Sequence, residues 1–320
     1  MKNFYLLLFT FCIGILGCNK GTDTAFSYKQ SMISSGNNSP DFNFSTDKLD
    51  QFLVMIHQGK TSKDIQTKLG WNDEKITHSA AFLQEKGFLR KEGEKFIPTC
   101  MIISRKNGED LRKYAEPISG LIADSIIKLM PTLKSAYSNL HVSTSFPFDS
   151  VAFFILSDVL LDNWQIGNVE KDFIHTGRPL HHGKHYYYSF LENDSSGSDP
   201  FGIYGNMGFT GFMVFGKNQS KVNQNLALSR LQSFPLVDSA DNSQLEALAA
   251  KFSPVLLSVL NGQQAYIQKT YKESGYSAEV SFPEFFIWWY HFIYTRTTNI
   301  LADKGYLNIP KGGNFFYRLN

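Results

Sequence analysis

The first residues of this chain set the conditions under which the rest folds. Lys2 is followed by an apolar run over residues 4–16, too short to cross a bilayer comfortably as a finished helix. A positive start, a short apolar stretch and the small Gly17 before a cut site make a secretory signal pattern. A chain exported this way folds outside the cytoplasm, and Cys12 leaves with the signal.

The four residues Ile15-Leu16-Gly17-Cys18 narrow the pattern, because a cysteine directly follows the small residue. The segment resembles a bacterial lipoprotein signal. The resemblance implies that residues 1–17 are removed and that Cys18 is lipidated and becomes the new N-terminus. It implies a cell-envelope location, with the membrane as partner through the lipid on Cys18. Each acyl methylene buried contributes about 0.8 kcal/mol, so several chains hold a protein durably. In a Gram-negative cell, Asn19 after the cysteine resembles the outer-membrane-directed type. Residues 18–45 are mostly Ser, Asn, Thr, Gly and Asp, which predicts a flexible tether. Cys100 is then the one remaining thiol, so no disulfide closes within the chain and the fold relies on its core.

A length of 320 residues suffices for one large or two modest domains. The net charge of +2 argues against a general polyanion binder. Aromatic residues make up 15% of the chain, and most Phe lie in apolar runs, which assigns them to a core.

Residues 46–104 carry three short amphipathic periods followed by two strand-like runs. Leu49, Phe52, Leu53 and Ile56 form the first face, after a cap at Thr46 or Asp47. Ile65 and Leu69 form the second, after Ser62. Ile76, Ala80 and Leu83 form the third, after Asn72 or Asp73. Strands over 88–91 and 95–103 are joined by the turn Glu92-Gly93-Glu94. This order resembles a winged helix-turn-helix domain. The residues that carry it are Thr61-Ser62-Lys63-Asp64-Ile65, Leu83-Gln84-Glu85-Lys86-Gly87-Phe88-Leu89 and the Glu92-Gly93 wing, and the match over 46–104 covers about a fifth of the chain. The family usually reads DNA with its third helix. Here residues 45–104 hold nine basic and eight acidic side chains, and the third helix opens on Asp73-Glu74 with no Arg. Phosphate neutralisation dominates DNA affinity, so nucleic acid is not the expected partner. A start at Met32 would instead give a cytoplasmic winged-helix regulator.

Residues 109–320 predict a mixed, mostly helical domain with a small antiparallel sheet. Helices are expected over 109–137, starting properly at Pro117 and bent at Pro131, over 149–163, over 244–271 with a break near Pro254, and over 283–303. Strands are expected over 186–191, 209–215 and, as a last edge strand, 315–319. The fold class is α+β, mostly helical: a small winged-helix-like module at 46–104, then a larger domain at 109–320 that resembles no named family.

The candidate chemistry lies in that domain. Asp158 and Asp162 stand at i, i+4 and project from one helix face, where burial would raise one carboxyl for acid/base work. Glu284 and His291 fall two turns apart in the aromatic helix. These four are the residues of an envelope hydrolase reading. His175, His181, His182 and His185 put half of the chain's eight histidines within eleven residues, a candidate metal site. No HExxH or G-x-S-x-G occurs, and no cofactor is expected. The favoured reading is a non-catalytic accessory or binding role toward an envelope protein or polymer.

Overall fold

A computed structural model describes residues 28–34, 38–193 and 200–320. Cys18 and the signal before it lie outside the described residues, as do residues 194–199. The chain is α+β and mostly helical.

Within the stretch expected as a tether, β1 (Tyr28–Ile33) is a strand, and Phe42 and Phe44 pack into a core. Three helices follow in the expected order: α1 (Leu49–His57), α2 (Ser62–Leu69) and α3 (Asp73–Glu85). The hairpin of β2 (Leu89–Glu92) and β3 (Lys95–Pro98) comes next. Thr61, not Ser62, caps α2: it accepts from the Asp64 N–H, and Asp64 accepts from the Thr61 N–H at 2.8 Å. Asn72 caps α3 by accepting from Lys75 N at 2.8 Å. Neither Thr46 nor Asp47 caps α1; residues Thr46–Lys48 form a short 3-10 turn ahead of it.

The single strand expected over 95–103 is two. β3 ends at Pro98, and β4 (Met101–Ile103) joins a different sheet. Beyond a small clip of β5 (Leu180–His181) and β6 (Lys184–His185), β7 (Tyr187–Glu192) is the centre of that sheet. It pairs antiparallel with β1 and parallel with β4. Side chains alternate across a strand. Tyr188 and Phe190, with Ile102 of β4, enter the core of the three-helix module, while Tyr187 and Leu191, with Met101 and Ile103, enter the main core. The sheet is a wall between two cores. The module expected at 46–104 therefore completes its interior with strands from both sides of its boundaries.

The main body begins with α4 (Arg105–Tyr137), which runs unbroken through Pro117 and Pro131. α5 (Phe148–Phe153) widens into a π-helical stretch over Phe154–Val159. The short α6 (Ile166–Val169) does the same over Glu170–Ile174. The expected strand over 209–215 is a hairpin, β8 (Gly205–Phe209) and β9 (Phe212–Gly216), turning at Thr210-Gly211, where Gly211 has φ 86°. α7 (Gln224–Ser229) and β10 (Leu236–Val237) precede α8 (Ser239–Gly262), which passes through Pro254 and ends beside α9 (Gln264–Glu273). Pro117, Pro131 and Pro254 are all exposed, so the carbonyls they leave unpaired meet water and the helices continue.

α10 (Phe282–Asp303) is the axis of the body. Ser281 caps it, with Pro283 in the first turn. Every residue from Phe285 to Thr295 is buried, as expected of a helix apolar all round. It lies along α4, where the small Ala115, Ser119 and Ala123 let the backbones approach. Ser119 Oγ donates to Ile293 O at 2.8 Å, and Trp289 Nε1 to Leu111 O at 3.0 Å. β11 (Asn314–Leu319) closes the fold as an interior strand, not an edge: β9 pairs with it antiparallel and β10 parallel.

Candidate functional site

Three of the four residues proposed for chemistry meet. Asp158 lies in the π-helical stretch, Asp162 one turn on, and both turn toward Asn206 of β8. Asn206 Nδ2 donates to Asp158 Oδ1 at 2.5 Å and to Asp162 Oδ2 at 3.0 Å. Its Oδ1 accepts from the Tyr317 hydroxyl of β11 at 3.1 Å. From α10, His291 Nε2 stands 4.0 Å from Asp162 Oδ1, and the Tyr294 hydroxyl lies against the same carboxyl. Asp158 Oδ2 has no hydrogen-bond partner among the described residues.

The electrostatics follow from depth. Asp158, Asp162 and His291 are 0, 3 and 6% exposed. Burial, then the neighbouring Asp162, pushes Asp158 well above the usual carboxylate range. Burial pushes Asp162 up to about 7. Two carboxylates on one amide cannot both ionise cheaply, so at neutral pH the pair keeps a proton. Burial lowers His291 to about 4, which keeps the ring neutral. Its Nδ1 lies 2.8 Å from Ile287 O and must donate there, so the bare Nε2 faces Asp162. The set is a proton-holding carboxyl pair beside a neutral imidazole acceptor. That chemistry suits proton transfer, yet none of the three lines any of three surface clefts, of about 150, 290 and 400 Å³, formed by the described residues.

Glu284 does not join them. Seven residues of helix are about 10 Å, and Glu284 lies at the other end of that rise. Its Oε1 accepts from Tyr188 N and Trp288 Nε1, each at 3.2 Å. Burial pushes it up to about 8. Cys100 is fully buried, and burial with the nearby Glu284 raises its thiol, the profile of an inert cysteine.

The histidine cluster does not assemble either. His181 is stacked between Phe88 and Tyr186 at 4.5 and 4.7 Å, its Nδ1 3.0 Å from Gly87 O, and burial lowers it to about 4. His175 and His185 each turn Nδ1 to a local carbonyl, Lys171 O at 3.1 Å and Arg178 O at 2.9 Å. His182 sits exposed with φ 46° in the β5–β6 turn. Among the described residues, the three-residue set whose ligand atoms lie within 4.8 Å is His141, Asp238 and Asp241. Its carboxylates already serve the backbone: Asp241 accepts from His141 N at 2.6 Å and Val142 N at 2.9 Å, and Asp238 caps α8. No stoichiometric zinc is expected to remain after equilibrium dialysis and elemental analysis; one bound equivalent would contradict this assignment.

Asn206, Tyr294 and Tyr317 are the members of the cluster that sequence reasoning missed. Asn206 follows a Gly-rich loop, and the tyrosines sit in aromatic runs indistinguishable from core, so only the pairing of β8, β9 and β11 brings them in. No protein-family model, no curated protein and no solved structure matches this chain.

Proposed function

We propose that this is a lipid-anchored envelope protein with a non-catalytic binding role, held by acyl chains on Cys18. The signal-like residues 2–18 support the anchor. Nine residues separate Cys18 from Tyr28, where β1 begins, so the body stays within about 35 Å of the lipid surface.

The observation that carries the binding reading, against a DNA reader, is on α3. In the winged-helix-like arrangement this helix would face the major groove. Its lysine, Lys75, instead pairs with Asp47 at 2.7 Å, and Lys86, just past its end, with Asp41 at 2.8 Å, so both hold the segment ahead of α1. Phe42 packs edge-on against Phe82 at 5.0 Å. Asp73, Glu74 and Glu85 are left facing outward with Thr77, Ala81 and Gln84. An acidic face repels phosphates, so duplex DNA at low salt is expected to produce no saturable change in fluorescence anisotropy. A regulator starting at Met32 would also lose four of the six residues of β1.

Labelling with a palmitate analogue tests the anchor. The wild-type chain is expected to incorporate label and to sediment with membranes, and Cys18→Ser to do neither. An unlabelled wild-type protein, or a labelled Cys18→Ser, would end this reading. A second reading, an envelope hydrolase, is favoured by the meeting of Asp158, Asp162 and His291; it drops Glu284 and requires a movement that opens the cluster to substrate.

A further inference from the structure

A cleft of about 290 Å³ lies between α4, α10 and the loop at 201–204, apart from the carboxyl pair. Its floor is aromatic, with the Phe201 and Phe292 rings 5.6 Å apart and Tyr204 beside them. Its rim carries Arg112, Lys217 and Arg296 against one carboxylate, Glu116. Arg296 is already matched, 2.7 Å from Glu116 and 3.7 Å from Asp303. Arg112 and Lys217 have no carboxylate partner among the described residues. The Arg112 guanidinium stands 5.8 Å from the Phe201 ring centroid and donates one N–H to Phe201 O, which leaves the others for a ligand.

The cleft is held open by local sacrifices. Phe201 adopts φ 60°, a left-handed conformation that costs a side-chain-bearing residue about 1 kcal/mol or more. Its ring presses so close to α4 that a Cβ at Gly108 would lie 2.1 Å from it. A glycine inside a helix costs roughly 1 kcal/mol relative to alanine, and here it is what admits the ring. The loop is then pinned to α10: Tyr204 N donates to Thr295 Oγ1 at 3.0 Å, and the Tyr204 hydroxyl to Asn299 Oδ1 at 3.0 Å. Asn299 keeps its amide N–H groups free of protein acceptors among the described residues.

We propose that this cleft binds a small organic anion, with a phosphate or carboxylate between Arg112 and Lys217 and a compact ring against Phe201. Forked guanidinium donors suit such oxyanions. A volume of about 290 Å³ is at the small end of ligand sites and fits a single-ring body. The assignment is independent of lipid attachment.

Phenyl phosphate carries both features and is the probe, titrated into the purified protein by calorimetry. Saturable binding is expected. Arg112→Gln and Lys217→Gln should each weaken it about tenfold or more, as should replacing the probe by uncharged benzyl alcohol. Far-UV circular dichroism should stay unchanged in both variants, and Lys134→Gln, elsewhere on α4, should leave binding intact. No saturation by phenyl phosphate, or binding that neither substitution alters, would overturn the assignment.

Discussion

Replacing Glu284 by Gln is expected to make the protein less stable at pH 5 and more stable at pH 9, so that the two stability curves cross. Glu284 is fully buried, and burial holds its carboxyl up to about 8 against an ordinary 4.5. Below pH 4.5 it is protonated in both folded and unfolded chains and contributes no pH dependence. Between 4.5 and about 8 the unfolded chain releases the proton while the folded chain keeps it, so stability falls as pH rises. Above 8 both forms are ionised and the loss is complete. The gap corresponds to about 4–5 kcal/mol, comparable to the whole stability of a small domain. Gln cannot ionise and removes this fall. Its Oε1 still accepts from Tyr188 N and Trp288 Nε1, but its amide N–H groups enter the place of Glu284 Oε2, which has no hydrogen-bond partner among the described residues. That mismatch costs about 1–2 kcal/mol at acid pH, where the wild-type carboxyl is neutral. The slope left in the variant comes from Asp158 and Asp162, which burial raises in the same direction, set against His181 and His291, which burial lowers to about 4 so that they make stability rise with pH up to about 6.5. Urea unfolding of both proteins at pH 5, 7 and 9 measures the crossing; parallel curves would mean that Glu284 is ionised in the folded state at neutral pH.

The parts of this fold that were legible in the sequence are those governed by neighbours along the chain. Ser281, Pro283 and the aromatic run placed α10 to within a residue, and i, i+4 spacing put Asp158 and Asp162 on one face. Prolines misled because a helix tolerates proline on its wet side, and which side is wet is decided by packing between distant segments. The strand expected over 186–191 is β7, but what it joins was illegible for a similar reason. β7 and β4 are buried on both faces, so apolar residues run on without alternation and do not reveal that two cores meet there. β1 was hidden in a polar stretch because its pairing with β7 supplies the order that its own composition lacks. The cluster shows the same division. Its acidic half is local, and its amide, hydroxyl and imidazole partners arrive from β8, β11 and α10, 44 to 159 positions later in the chain.

Asn206→Leu is expected to destabilise the protein by about 3–5 kcal/mol, and by more at pH 8 than at pH 5. One carboxamide satisfies three groups: it donates to Asp158 and Asp162 and accepts from Tyr317. Leucine has similar bulk and no polar atoms, so the loss is of hydrogen bonds more than of packing. Asp158 already has one oxygen without a partner, and the variant strips the other of its shortest bond. Each buried polar group so stranded costs about 1–3 kcal/mol. The pH dependence follows from which form the amide favours. Its N–H groups stabilise the ionised carboxylates and lower both acids against the burial that raises them. Without those donors the folded-state pKa of each rises further, and ionisation in the range above pH 7 is resisted more strongly. At pH 5 the pair holds its protons, and a protonated carboxyl can turn its own O–H toward His291 Nε2, whose lone pair faces Asp162 at 4.0 Å. Part of the loss is thereby relieved in acid and none of it in base. Chemical denaturation at the two pH values decides the matter: a loss under about 1 kcal/mol at both, or the same loss at both, would mean that Asn206 is a bystander and that the two carboxyls are held apart by something else.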